Sequence, residues 1–62
     1  MIDLVMTIEK HNGLLWGQVN INDNLIIEKS TTELKLMAKM KSLLLEWEGL
    51  SEGQYTIRKN YV

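Results

Sequence analysis

Apolar and polar residues alternate well over positions 2–9, IDLVMTIE, with Val5 as the exception, and this pattern predicts a β-strand. The pair Asn12-Gly13 follows; both residues tolerate positive φ, as a tight hairpin turn requires. Positions 14–21, LLWGQVNI, alternate again and predict the returning strand. Ile2, Leu4, Met6 and Ile8 share one face of the first strand. On the second strand Leu15, Val19 and Ile21 share one face and Leu14 and Trp16 the other, so one of these two sets points away from the helix.

After the hairpin, the sequence NDN at 22–24 predicts a second turn and LIIEK at 25–29 a short third strand. The apolar period then changes to that of a helix. Ser30 and Glu33 have the spacing of a capping box, so we expect the helix to begin at Ser30. Gly49 suits its end, because glycine readily takes the left-handed conformation found there. Positions 54–61 alternate once more and predict a fourth strand.

The element order β-β-β-α-β predicts an α+β fold, a two-layer sandwich with one helix packed on one face of an antiparallel sheet. Residues 1–62 are expected to form this single domain. At 100° per residue one broad arc of the helix is apolar and is expected to cover the sheet. Its members are Leu36, Met37, Met40, Leu43, Leu44, Trp47 and Leu50.

Further apolar residues lie outside this arc. Leu34, Ala38 and Leu45 line the opposite side of the helix over roughly 16 Å, with Lys41 beside them. On the second strand, Leu14 and Trp16 point away from Leu15 and Val19. A contiguous exposed apolar line indicates a contact surface. The predicted interface with a partner or a second copy therefore comprises Leu34, Ala38, Lys41, Leu45, Leu14 and Trp16.

Length and composition strengthen the case for a partner. A chain of 62 residues buries roughly 60% of its surface and is marginally stable alone. Because it has no cysteine, neither a disulfide nor a thiolate metal site can supplement the core. Its net charge of −1 lacks the basic excess of most nucleic-acid-binding proteins, so direct nucleic-acid binding is not expected. There is no long apolar run or basic leader, and we expect a cytoplasmic protein without membrane contact.

The polar residues do not predict an enzyme. His11 is the only histidine and lies beside the hairpin turn, where a solvated side chain is expected. Asp3 and Glu9 would share a strand face but lie about 20 Å apart, too far for one metal site. The segment RKNY at 58–61 could contact RNA, although a charged edge strand is the simpler interpretation. We therefore expect no catalytic residue, metal site or cofactor.

Two segments, TIEKHNGLLWGQV (7–19) and STTELKLMAKMKSLL (30–44), resemble the HicB-like antitoxin domain. The likeness covers most of positions 2–50. The chain departs from many members of that family after the second strand, where it has NIND, and at the helix entry, where it has KST.

The resemblance implies a partial RNase H-like fold without nuclease chemistry. It also implies that the chain binds and neutralises a HicA-like RNA-cleaving toxin and forms a homodimer or higher homo-oligomer. Full antitoxins continue into a DNA-binding segment, which is not expected within residues 1–62. As an alternative, the β-β-β-α order is similar to double-stranded-RNA-binding folds. That alternative calls for basic residues at the helix start, and Ser30-Thr31-Thr32-Glu33 lacks them.

Overall fold

A computed structural model describes residues 1–62 and has the predicted element order of three strands, one helix and a fourth strand. The elements are β1 (Ile2–His11), β2 (Leu14–Ile21), β3 (Asn24–Ser30), α1 (Glu33–Glu48) and β4 (Tyr55–Tyr61). The helix packs over β2 and β3 on one face of the sheet. The predicted α+β class with one helix on one sheet face is therefore confirmed.

The four strands lie in the order β3-β2-β1-β4. β2 is antiparallel to both β1 and β3, but β4 runs parallel to β1, with Ile2 opposite Tyr55 and Ile8 opposite Tyr61. The prediction of a wholly antiparallel sheet is thus wrong for β4, and the sheet is mixed. The helix causes this outcome: it returns the chain to the end of the sheet where β3 began, so β4 starts from the same end as β1 and β3.

Two tight turns set the register of the first three strands. Asn12 and Gly13 take φ values of 53° and 77°, and Asn22 and Asp23 take 49° and 64°. Two successive positive φ values match the right-handed twist of the flanking strands, which is why Asn, Asp and Gly occupy such loops. As a result β1, β2 and β3 pair without interruption.

The helix begins later than predicted. Ser30 is buried at the end of β3, where it pairs with Leu15, so it cannot cap α1. Thr32 is the N-cap instead: its hydroxyl accepts a hydrogen bond from the Lys35 backbone N–H at 3.2 Å. The predicted end is confirmed, because Gly49 has φ 68° and its N–H donates to the last turn of the helix.

The core lies between the helix and the sheet, and ten buried side chains form it. They are Leu4, Met6, Ile8, Val19, Ile21, Ile26, Leu36, Met40, Leu44 and Tyr55. Helical period places Leu36, Met40 and Leu44 on one line facing the strands, whose buried residues follow the expected alternation. No helix in this structure has the length and apolar character needed to cross a membrane.

Trp47 does not join the buried arc as predicted and remains 62% exposed. The helix has reached the end of the sheet at this point. The Glu48 carboxylate accepts hydrogen bonds from the side-chain amides of Asn22 and Asn24, both at 3.1 Å, in the turn that joins β2 to β3. Beyond that turn no strand lies beneath the indole.

Candidate functional site

The outer side of α1 carries the apolar line that the sequence predicts. Leu34 is 83% exposed and Leu45 56% exposed, and Ala38 lies exposed between them. Lys41, at the border of this line, is half-buried and forms a 2.6 Å ion pair with Glu52 in the loop before β4. We call Leu34, Ala38 and Leu45 the helix strip.

The other two predicted interface residues lie elsewhere. Trp16 points from β2 to the sheet face opposite the helix, so the sheet and the core separate it from the helix strip. Leu14 lies at the end of the sheet, in a depression that it shares with residues from β3 and α1. The six residues predicted as one interface therefore belong to separate surfaces.

Trp16 is only half-buried, and charged residues flank it on both neighbouring strands. Glu9 is its partner on β1 and Lys29 its partner on β3. The Lys29 ammonium lies 5.0 Å from the centroid of the indole ring, within the range of a cation–π contact. The indole N–H is buried and has no hydrogen-bond partner. Trp16 thus has a fixed position but an unsatisfied donor.

Three further exposed apolar residues on the same sheet face as Trp16 were not included in the predicted interface. Val5 is 41% exposed, Leu25 50% and Ile27 49%. Strand alternation contains the signal that could have identified them, because Val5 lies between the core residues Leu4 and Met6, and Leu25 and Ile27 lie on either side of Ile26. We call Val5, Trp16, Leu25 and Ile27 the open face.

A shallow depression on this face is lined by Thr7, Glu9, His11, Trp16, Gln18 and Ile27. His11 is exposed at the end of β1, as expected for a solvated hairpin histidine. Asp3 lies near the other end of the same strand, where it accepts a hydrogen bond from the Thr56 hydroxyl at 2.6 Å. No group of three or more histidine or acidic residues is arranged to hold a metal ion.

The segment at 58–61 forms part of β4, which is an edge strand of the sheet. Two of its side chains bind the first residue of α1. Lys59 forms an ion pair with Glu33, and the Tyr61 hydroxyl donates to the same carboxylate oxygen at 2.7 Å. Lys59 and Tyr61 therefore connect β4 to the helix, and only the other side chains of the segment are free for another contact.

This cluster shifts the protonation equilibria of its members. Hydrogen bonds from Lys59 and then Tyr61 lower the pKa of the Glu33 carboxyl. The hydrogen bond to Glu33 raises the pKa of Lys59 and also that of Tyr61. All three groups are solvent-accessible and together form a surface link between β4 and α1.

A basic cluster at one end of the molecule was also missed in the sequence. Lys29, Lys35 and Lys39 lie around one depression, together with Leu14, Ser30 and Thr31. The Lys39 ammonium donates to the backbone carbonyl of Lys29 at 2.9 Å. The cluster cannot be recognised from sequence spacing, because Lys29 belongs to β3 and the other two lysines belong to α1.

No protein-family model matches the chain, and neither a curated protein nor a solved structure matches it.

Proposed function

We propose that this chain is a non-catalytic protein-interaction module, similar to the HicB-like antitoxin domain, that binds and neutralises a HicA-like RNA-cleaving toxin. Because such a toxin acts on RNA, we expect the two proteins to meet in the cytoplasm. We also expect the chain to form a homodimer or higher homo-oligomer.

One observation supports the proposal most, namely the exposure of the helix strip. Leu34 and Leu45 are largely exposed on the outer side of α1, and Ala38 is exposed between them. Partners commonly bury such apolar lines at the centre of a contact, surrounded by polar residues. Lys35 and Ser42 on the neighbouring helix face could form that polar surround.

The geometry suits a neutralising role because such a role needs contact area and no reacting group. The line from Leu34 to Leu45 spans roughly 16 Å, about the width that one small domain can cover. The open face is a second surface with exposed apolar residues, set among polar ones such as Gln18 and Asn20, on the other side of the sheet. One copy can therefore contact a toxin through one surface while the other remains free for self-association.

The test is binding between this chain and the small basic protein that the adjacent reading frame would encode in a toxin–antitoxin pair. We expect the two proteins to co-purify and RNA cleavage by the partner to stop upon complex formation. The double variant Leu34→Asp with Leu45→Asp should weaken the complex at least tenfold, because each carboxylate would be desolvated against an apolar surface.

A matched control has the same charge change away from the helix. Lys10→Gln with Arg58→Gln also lowers the net charge by two, but both residues are exposed on strands, so the helix strip and its polar surround stay intact. We expect it to bind the partner normally. Thermal unfolding by circular dichroism must show that both double variants remain folded. A partner that binds neither the parent nor the control chain, or an RNase activity that persists in the complex, would refute the proposal.

The basic cluster favours nucleic-acid binding as a second candidate function. Lys29, Lys35 and Lys39 could together neutralise about three phosphates, so binding to a short RNA duplex should weaken with salt at a logarithmic slope near −2 to −3. Changing Lys35 and Lys39 to Gln should remove most of that slope. If the parent chain does not bind the duplex at low salt, this candidate is excluded.

A further inference from the structure

β3 forms one edge of the sheet, and its backbone shows which groups face outward. All seven of its residues pair with β2, from Asn24 opposite Ile21 to Ser30 opposite Leu15. The Lys29 carbonyl accepts from the Lys39 ammonium at 2.9 Å, and the Lys29 N–H donates to the Glu28 carboxylate at 3.1 Å. The backbone groups of Lys29 therefore point away from β2.

The same geometry applies to every second residue. In an antiparallel pair, the N–H and C=O of one residue point to the same side, and the side alternates along the strand. Leu25 and Ile27 therefore also direct their backbone groups outward. None of these four groups has a hydrogen-bond partner in the chain, whereas both groups of Lys29 do.

The open part of this edge is short and has defined ends. Asp23 closes one end, because its positive φ belongs to the turn and cannot continue a strand. At the other end, the side chains of Glu28 and Lys39 already form hydrogen bonds with the backbone N–H and C=O of Lys29, so these groups are not free to pair with another strand. Between these ends there is no proline and no break in the pairing with β2. Such an unprotected edge is a template for strand addition.

We infer that a second copy of this chain pairs with this edge, antiparallel, about a two-fold axis at Ile26. Leu25 of one copy then lies opposite Ile27 of the other. The four free backbone groups of each copy are all satisfied, by four hydrogen bonds in total. The two sheets join into one of eight strands.

The length of the open edge singles out this register and a second copy as the occupant. If the register shifted by one residue, the outward-facing backbone groups of one copy would lie opposite backbone groups of the other copy that already pair with its own β2. A shift by two residues would require the turn groups of Asp23 or the occupied groups of Lys29. A two-fold pairing about Ile26 uses every free group and no occupied one, so the edge is complementary to itself.

The side chains around the edge fit the same pairing. Leu25 and Ile27 of the two copies become neighbours and extend the open face across the joint. Lys39, Leu43 and Trp47 follow at four-residue spacing on the side of α1 that reaches the edge, so pairing brings this side of the two helices together.

This pairing uses neither Leu34 nor Leu45, so it stands whether or not the chain binds a toxin. Four hydrogen bonds and a few side chains make a small interface, and interfaces of this size associate reversibly. We expect a monomer at low micromolar concentration and a dimer as the concentration approaches about 1 mM.

Amide hydrogen exchange measured by NMR across this dilution range tests the pairing directly. Exchange of the Leu25 and Ile27 amides should slow at least tenfold at high concentration. The Lys29 amide, which Glu28 already binds, should change much less. Either a chain that remains monomeric at about 1 mM or a dimer in which the Leu25 and Ile27 amides exchange freely would overturn the inference.

A pair of variants separates edge pairing from stacking of the open faces. Ile27→Lys introduces like charges that are diagonal neighbours across the joint, and we expect it to weaken dimerisation at least tenfold. Val5→Lys is the control, because Val5 is similarly exposed on the same face but lies in the central strand β1. Loss of the dimer in Val5→Lys, with Ile27→Lys unaffected, would overturn edge pairing. So would amide protection that appears only when a different protein is added.

Discussion

Gly17 of β2 lies directly beneath Leu36 of α1, so closely that a Cβ added to the glycine would be 3.2 Å from Leu36 Cδ2. The same Cβ would be 3.1 Å from the sulfur of Met6. Both neighbouring side chains are fully buried and have little room to move. The absence of a side chain at Gly17 therefore sets how closely the helix approaches the sheet.

The first prediction concerns this contact. Gly17→Val should lower the free energy of unfolding by about 1–3 kcal/mol, because the added methyl groups overpack the layer between helix and sheet. Urea unfolding followed by circular dichroism measures the change. Gly53→Ala is the control: its Cβ would meet nothing within 4 Å, so we expect a change within about 0.5 kcal/mol. If Gly17→Val were as stable as the parent chain, the helix would have to lie farther from the sheet than the contacts at Gly17 indicate.

Adjacent leucines of α1 provide a second prediction. Leu44 is completely buried, whereas Leu45 belongs to the exposed helix strip. Leu44→Ala should therefore lower the free energy of unfolding by about 2–5 kcal/mol, the range for substitutions that leave a cavity in a packed core. Leu45→Ala should change the free energy of unfolding by at most about 0.5 kcal/mol. If the two variants were equally unstable, the orientation of the helix on the sheet would be wrong.

The N-cap of the helix gives a third prediction. Thr32→Ala removes the hydroxyl that accepts the Lys35 N–H and should cost about 1 kcal/mol. Thr31→Ala changes a neighbouring exposed threonine whose hydroxyl makes no hydrogen bond, and it should be nearly neutral. Thermal unfolding of both variants under the same conditions distinguishes them. A larger effect at position 31 than at position 32 would mean that the helix begins elsewhere.

Local patterns were sufficient to predict most of the fold. The alternation around Met6 and Val19 separates the two faces of β1 and β2, and Asn12-Gly13 fixes the hairpin between them. These features depend on neighbours in sequence. The parallel pairing of β4 does not, because it follows from the helix, which returns the chain to the end of the sheet where β1 and β3 begin. The helix start was misassigned since Ser30 has good capping spacing but is held by pairing with Leu15.

The candidate surfaces were only partly predictable for the same reason. Helical spacing correctly indicates that Leu34 and Leu45 share one exposed side. Whether Trp16 lies on the same surface as these leucines depends on which face of the sheet the helix covers, and no local pattern contains that information. The lysine cluster and the open edge of β3 arise only when α1 folds back over the strand.

The final prediction concerns the link between Glu33, Lys59 and Tyr61. In the folded protein, hydrogen bonds from Lys59 and then Tyr61 lower the pKa of the Glu33 carboxyl below its usual value of 4.5. A carboxyl with a lowered pKa in the folded state stabilises the protein above its unfolded-state pKa, and this contribution is lost as pH falls through the folded-state pKa. The parent chain should therefore be more stable than Glu33→Gln near neutral pH, and the difference should shrink below about pH 4.5.

Urea midpoints of the two chains, measured from about pH 7 down to about pH 3, provide the check. Glu46→Gln is the matched control, because Glu46 is an exposed acid of the same helix that forms no hydrogen bond or ion pair. Its midpoint should follow that of the parent chain at every pH. High salt should also reduce the difference between the parent and Glu33→Gln, since exposed ion pairs are screened. If that difference were independent of pH, Glu33 would not be ionised in contact with Lys59, and another interaction would have to hold β4 against the helix.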